Sequence, residues 1–101
     1  PSDAPRITRA LQDRLDIRYL YDWAGGLVWI EVPPAPDAAA PLVRGVLSQG
    51  HATLLRAPDA VRAAVDVFQP QAAALAALTA RVKDSFDPHH ILNPGRMYRG
   101  I

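Results

Sequence analysis

Ile17-Arg18-Tyr19-Leu20-Tyr21-Asp22-Trp23-Ala24-Gly25-Gly26-Leu27-Val28-Trp29-Ile30-Glu31-Val32 is the stretch from which the fold is read. Ile17, Tyr19, Tyr21 and Trp23 alternate with Arg18, Leu20 and Asp22, the period-2 pattern of a strand. A second apolar, β-favouring run follows at 27–32. Gly25-Gly26 lies between them and supplies the positive φ that a tight hairpin turn demands. Two strands, 17–23 and 27–32, are therefore expected to pair as a hairpin.

Outward from the hairpin, helices alternate with extended segments. Residues 3–15 predict a helix, with Ser2 or Asp3 as its cap and Pro5 tolerable that early. Ile7, Leu11 and Leu15 fall on one face. Residues 33–37, Pro-Pro-Ala-Pro-Asp, lack three amide donors and form a stiff loop. A second helix is expected over 38–49, with Pro41 near its start and Leu42, Val43, Val46 and Leu47 inward. Gly50 is expected to terminate it in the left-handed region. Residues 51–57 predict a third strand, and 58–64 one or two helical turns starting at Pro58. The last helix is expected over 70–86, where Leu75, Leu78, Val82 and Phe86 form a stripe among alanines that favour helix.

The order helix, strand, strand, helix, strand, helix is α+β. It is the ferredoxin-like pattern βαββαβ with its first strand missing. That strand would lie between 27–32 and 51–57, and is expected just upstream of Pro1. Without it, those two segments either pair directly or leave a gap for another chain. An open sheet edge of this kind recruits partners, including a second copy.

The 101 residues allow one domain at most, with 50% apolar and 21% charged residues. A net charge of +1 with a single lysine gives a nucleic-acid surface little support. With no cysteine there is no disulfide and no thiolate metal site. Neither a signal peptide nor an apolar run of about 18 residues is visible. A cytoplasmic location is expected, with any approach to the inner membrane made through partner subunits. The chain opens on Pro-Ser-Asp without Met, and is read as a piece of something longer.

Few side chains point to chemistry by themselves. His51, His89 and His90 are the only histidines. His89 and His90 are adjacent rather than four apart on a helix, and no HxxxH or HExxH spacing exists, so no metal site is assigned. Asp22, Asp59, Asp66, Asp84 and Asp87 are acid/base candidates with no visible apolar pairing. Asp87 before Pro88 reads most simply as a helix stop. Trp23, Trp29, Tyr19 and Tyr21 suit either an aromatic wall over a ligand or a sheet face packed under helices, and the second is preferred. Asn93-Pro94-Gly95-Arg96 is the strongest functional segment. Proline and glycine shape a turn whose main chain can approach a ligand closely. Asn both donates and accepts, and Arg suits carboxylate or phosphate.

The final segment, Phe86-Asp87-Pro88-His89-His90-Ile91-Leu92-Asn93-Pro94-Gly95-Arg96, resembles the C-terminal signature of FAD-linked oxidases and dehydrogenases of the vanillyl-alcohol-oxidase type. Together with Gly50-His51-Ala52-Thr53-Leu54-Leu55-Arg56-Ala57-Pro58 and Asp22-Trp23-Ala24-Gly25-Gly26-Leu27-Val28-Trp29, it is similar to the FAD-binding subunits of bacterial glycolate oxidases. The resemblance implies a two-domain flavoprotein of which this chain is the C-terminal cap domain, the N-terminal FAD-binding domain lying elsewhere. It implies that Asn93, Pro94, Gly95 and Arg96 run back toward the FAD, and that the isolated fragment binds no FAD. The implied reaction is oxidation of a small 2-hydroxy acid, glycolate to glyoxylate. Electrons would pass to other glycolate oxidase subunits, a second flavin subunit and an iron–sulfur subunit. No glycine-rich phosphate loop and no histidine-rich metal signature is present. The catalytic base is unassigned. Arg18, Arg56 and Arg96 are candidates for a substrate carboxylate, and surface salt links explain them equally well. Two alternatives stand beside this reading: a non-catalytic ferredoxin-like ligand-sensing or dimerisation module, and a flavin-carrying scaffold whose sister subunit performs the oxidation.

Overall fold

The computed structural model describes residues 3–101. Helix α1 spans Ala4–Gln12, with Pro5 in its first turn. It is shorter at both ends than the expected 3–15. Asp3 makes no capping hydrogen bond, because its carboxylate is taken by Arg6 at 2.6 and 2.8 Å and by the Ser48 hydroxyl at 3.1 Å. Ser2, the other cap candidate, lies outside the described residues. The inward face of α1 carries Ala4, Thr8 and Leu11, at spacings of four and three.

Strands β1 (Arg18–Asp22) and β2 (Leu27–Glu31) pair antiparallel, with Tyr19 opposite Ile30 and Leu20 opposite Trp29. The hairpin is as expected, but Trp23 belongs to its turn and not to a strand, and Gly26, at φ −75°, does not supply the positive φ expected of both glycines. Four residues, 23–26, join the strands. Trp23, Ala24 and Gly25 all take positive φ (49°, 51° and 83°), and the Gly26 amide closes on the Trp23 carbonyl at 2.9 Å. The Asp22 carboxylate stabilises this path by accepting from the Trp23 amide at 2.8 Å and the Trp29 indole at 3.3 Å.

Helix α2 spans only Ala40–Gly45. Ala38 and Ala39 sit at φ 50° and 51°, outside the helical region, where the Ala39 amide is held by the Asp37 carboxylate at 2.9 Å. The helix stops before Val46, so Gly50, although left-handed at φ 81°, closes a later turn and not the helix. Helix α3 spans Asp59–Ala64 behind Pro58, as expected.

The third strand does not form. Residues 51–57 are in no sheet, and the sheet has two strands. Leu54 donates its amide to the Val67 carbonyl at 2.8 Å, and Ala52 donates to the Gln69 side chain at 2.9 Å. These single bonds do not replace a ladder, since a strand exists only with a neighbour that satisfies its backbone. Among the described residues, no backbone outside the hairpin bonds to β1 or β2.

Helix α4 spans Ala73–Phe86, three residues shorter at its start than expected. Its apolar stripe does not face inward: Leu75, Leu78 and Val82 are half-exposed and Phe86 is 84% exposed. The sheltered side carries Ala76, Thr79, Ala80 and Lys83.

The described residues form a small α+β domain: an open sheet of two antiparallel strands with four helices, an arrangement compatible with the ferredoxin-like class. Its core is slight. Ala4, Leu11 and Ile17 are the buried apolar side chains among the described residues. The Thr8 and Tyr21 hydroxyls share a hydrogen bond at 2.6 Å, which seats α1 on the sheet. The radius of gyration is 15.6 Å, where about 13 Å is usual for this length. The accessible surface is 7658 Å², roughly 2,000 Å² more than a folded chain of this size normally exposes.

Candidate functional site

Helix α4 leads directly into the segment singled out from sequence. Asp87 ends the helix at φ −138°, ψ 67°, its amide still reaching the Lys83 carbonyl at 2.7 Å. Pro88 forces this exit, because a residue before proline is pushed out of the α region. The stop is therefore as expected, but Asp87 does more than stop a helix. Its side chain is 4% exposed and accepts three hydrogen bonds: from the Lys83 ammonium, from the Ile91 amide at 3.1 Å and from the Leu92 amide at 2.9 Å. Lys83 also donates to the Leu92 carbonyl at 2.6 Å. The peptide groups on both sides of Leu92 are thus pinned to one ion pair.

Electrostatics favour this arrangement. The Lys83 ammonium holds the Asp87 carboxyl down at about 2; burial opposes the shift, and the Leu92 and Ile91 amides support it.

Beyond Leu92 the chain makes its closing turn. Asn93 takes φ 48°, a region asparagine enters more readily than most residues. Pro94 and Gly95 (φ 69°) occupy the central positions, and the Arg96 amide returns to the Asn93 carbonyl at 3.2 Å. Pro followed by a positive-φ Gly is the pattern of a type II turn. The far side is tied by the Gly95 amide on the Ile101 carbonyl at 2.7 Å, and by Tyr98 packed against Phe68 with ring centres 6.2 Å apart. A Cβ placed on Gly95 would meet nothing within 4 Å, so the turn opens to solvent. Among the described residues, the Asn93 amide and the Arg96 guanidinium have no side-chain hydrogen-bond or ion-pair partner. Both are exposed. The site is a turn fixed from behind with a neutral donor–acceptor and a cation left unpaired in front.

The other candidates are dispersed. His51 and His89 are exposed, and His90 lies 3.2 Å from Asp84. Among the described residues no three His, Asp or Glu side chains converge in a metal-binding group. Arg18 is paired with Glu31 at 2.6 Å on the open sheet face, and Arg56 is exposed. Tyr19 and Tyr21 share the face toward α1, their rings 5.2 Å apart. Leu20 and Trp29 lie on the opposite face, which is largely bare, and Trp23 is 80% exposed at the turn. The four aromatics therefore do not form one wall. Two open depressions in the surface are lined by residues 12 and 14–17 and by residues of α1 with Asp13, away from the closing turn in sequence. No helix among the described residues is long and apolar enough to cross a membrane.

The sequence reading missed the Lys83–Asp87 pair. Its signal was present as an opposite-charge spacing of i, i+4 at the end of a helix. The tie between Asp3, Arg6 and Ser48 spans more than forty residues and had no local signal.

The chain is 33% identical over 98 residues to the glycolate oxidase subunit GlcE of Escherichia coli (strain K12). The match covers 97% of this chain and 24% of GlcE, so the chain spans about a quarter of that relative. No protein-family model matches the chain, and no solved structure does.

Proposed function

We propose that this chain is the cap domain of an FAD-dependent 2-hydroxy-acid oxidase or dehydrogenase subunit, with glycolate to glyoxylate as the reaction of the intact protein. The observation that carries the proposal is the closing turn. Its backbone is held at both ends, while among the described residues the Asn93 and Arg96 side chains have no partner, on a chain related over nearly its whole length to a glycolate oxidase subunit.

The donor set suits FAD. An asparagine amide can both donate to and accept from a flavin edge, and a guanidinium pairs with phosphate or carboxylate. Asn93, Pro94, Gly95 and Arg96 would make these contacts. FAD, when bound, accepts the hydride from the substrate's α carbon. The chain's own part is to position: Pro94 and Gly95 let the main chain come close, Arg96 brings positive charge, and the cap excludes water. The nucleotide-holding domain and the catalytic base lie elsewhere in the intact polypeptide on this reading. On this reading the electrons would be taken up by partner subunits, one with a second flavin and one with an iron–sulfur centre.

The surplus exposed surface supports the reading. The bare sheet face around Leu20 and Trp29 and the α4 stripe are what a lid separated from its body would show. The free edge of β2 is where the missing central strand would add. The same edge is the one observation that favours a dimerising module instead.

The test is the visible spectrum of the intact protein. A bound-flavin band bleached by glycolate under anaerobic conditions supports the proposal. A colourless protein that takes up no added FAD contradicts it.

A further inference from the structure

Resting on that reading, we infer that Lys83 and Asp87 are positioning residues for the flavin contact: together they form a clamp that aims the Asn93–Arg96 turn. The turn cannot set its own direction. Pro94 has no amide hydrogen, so residue 94 contributes no backbone donor at the root of the turn. Asn93 stands in the left-handed region directly before that proline, a conformation that needs support from its surroundings. The support comes from Leu92. Its amide is fixed by Asp87 and its carbonyl by Lys83, so the planes of both peptides flanking Leu92 are set by one ion pair. The Lys83 side chain is 17% exposed, which shields the pair from water and strengthens its hydrogen bonds. Burial of Asp87 also makes an unpaired state costly, so the clamp is strongly biased to the closed arrangement. Helix α4 is the rigid arm. Lys83 and Asp87 stand one turn apart at its C-terminal end, so the helix transmits its orientation to the loop.

Neither side chain is assigned a contact with the cofactor. They act through the backbone, which separates them from Asn93 and Arg96.

The experiment uses the intact protein and two readouts: amide exchange at Ile91 and Leu92, and the dissociation constant for FAD added to the apoprotein. Lys83→Met and Asp87→Asn test the clamp, Lys83→Arg tests rescue, and Arg96→Gln tests the contact itself. The expected result is faster exchange at both amides and FAD binding weakened about tenfold in the two clamp variants, the scale of one charge-assisted hydrogen bond. Lys83→Arg should restore most of both. Arg96→Gln should weaken FAD binding without changing exchange at Leu92. Faster exchange with unchanged FAD affinity in both clamp variants overturns the clamp and leaves the proposed function standing. Unchanged FAD affinity in Arg96→Gln, or no FAD binding by the intact protein, overturns the functional reading and the clamp with it. If both clamp variants lose exchange protection throughout α1 as well, their role is overall folding, and the positioning inference is overturned.

Discussion

At the scale of single residues, Asp87 carries two duties that the sequence shows unequally. The helix stop was legible, because Pro88 excludes an α conformation at the residue before it. The return of Leu92 to the same carboxylate was not, since it depends on a loop path that no local pattern specifies. The clamp gives a pH prediction. Asp87 in the folded chain titrates at about 2 rather than the usual 3.8. A depressed carboxyl contributes stability in full above its unfolded value, and loses it as pH falls through the folded one. Protection of the Leu92 amide should therefore persist at pH 4 and fade only on approaching pH 2. A midpoint near 4 would contradict the clamp. Leu11 gives a second prediction. It is completely buried in a core that holds few other apolar side chains. Leu11→Ala should cost about 2–5 kcal/mol in urea unfolding. Its position on the inward face of α1 was correctly read from the i, i+4 spacing.

The elements show where spacing informs and where it misleads. The hairpin was legible because its alternation and its glycines agreed. Its turn was misread because Asp22 stabilises a wider loop that places Trp23 and Ala24 at positive φ. Left-handed geometry costs an ordinary residue roughly 1–2 kcal/mol, partly offset in glycine by chain entropy. Ala24→Gly should accordingly stabilise the domain by about 0.5–1 kcal/mol in thermal unfolding. Helix α4 teaches the converse. Its stripe of Leu75, Leu78, Val82 and Phe86 has the spacing of a core face, yet the first three side chains are half-exposed and Phe86 stands largely in solvent. Periodicity identifies a face that wants a partner; it does not say that the partner lies in the same hundred residues. Leu78→Glu should therefore change the stability of the isolated chain by no more than about 0.5 kcal/mol. If the chain is the proposed cap, the same substitution should expose Leu75 and Val82 to labelling in the intact protein. The segment 51–57 fits the same rule. Its composition favours a strand, but among the described residues no neighbour completes a ladder.

For the whole molecule, the proposed cap role accounts for the surplus surface and the slight core together, as the features of a lid separated from its body. A chain with three buried apolar side chains among the described residues draws little stability from its own interior. The isolated chain should bind FAD weakly or not at all, with no saturation in a titration that saturates the intact protein. The most direct test is hydroxyl-radical footprinting of α4 and the closing segment, comparing the isolated chain with the intact protein. Leu75, Leu78, Val82, Phe86 and Met97 should label readily in the first and be protected in the second. Equal labelling of these side chains in both would contradict the central claim.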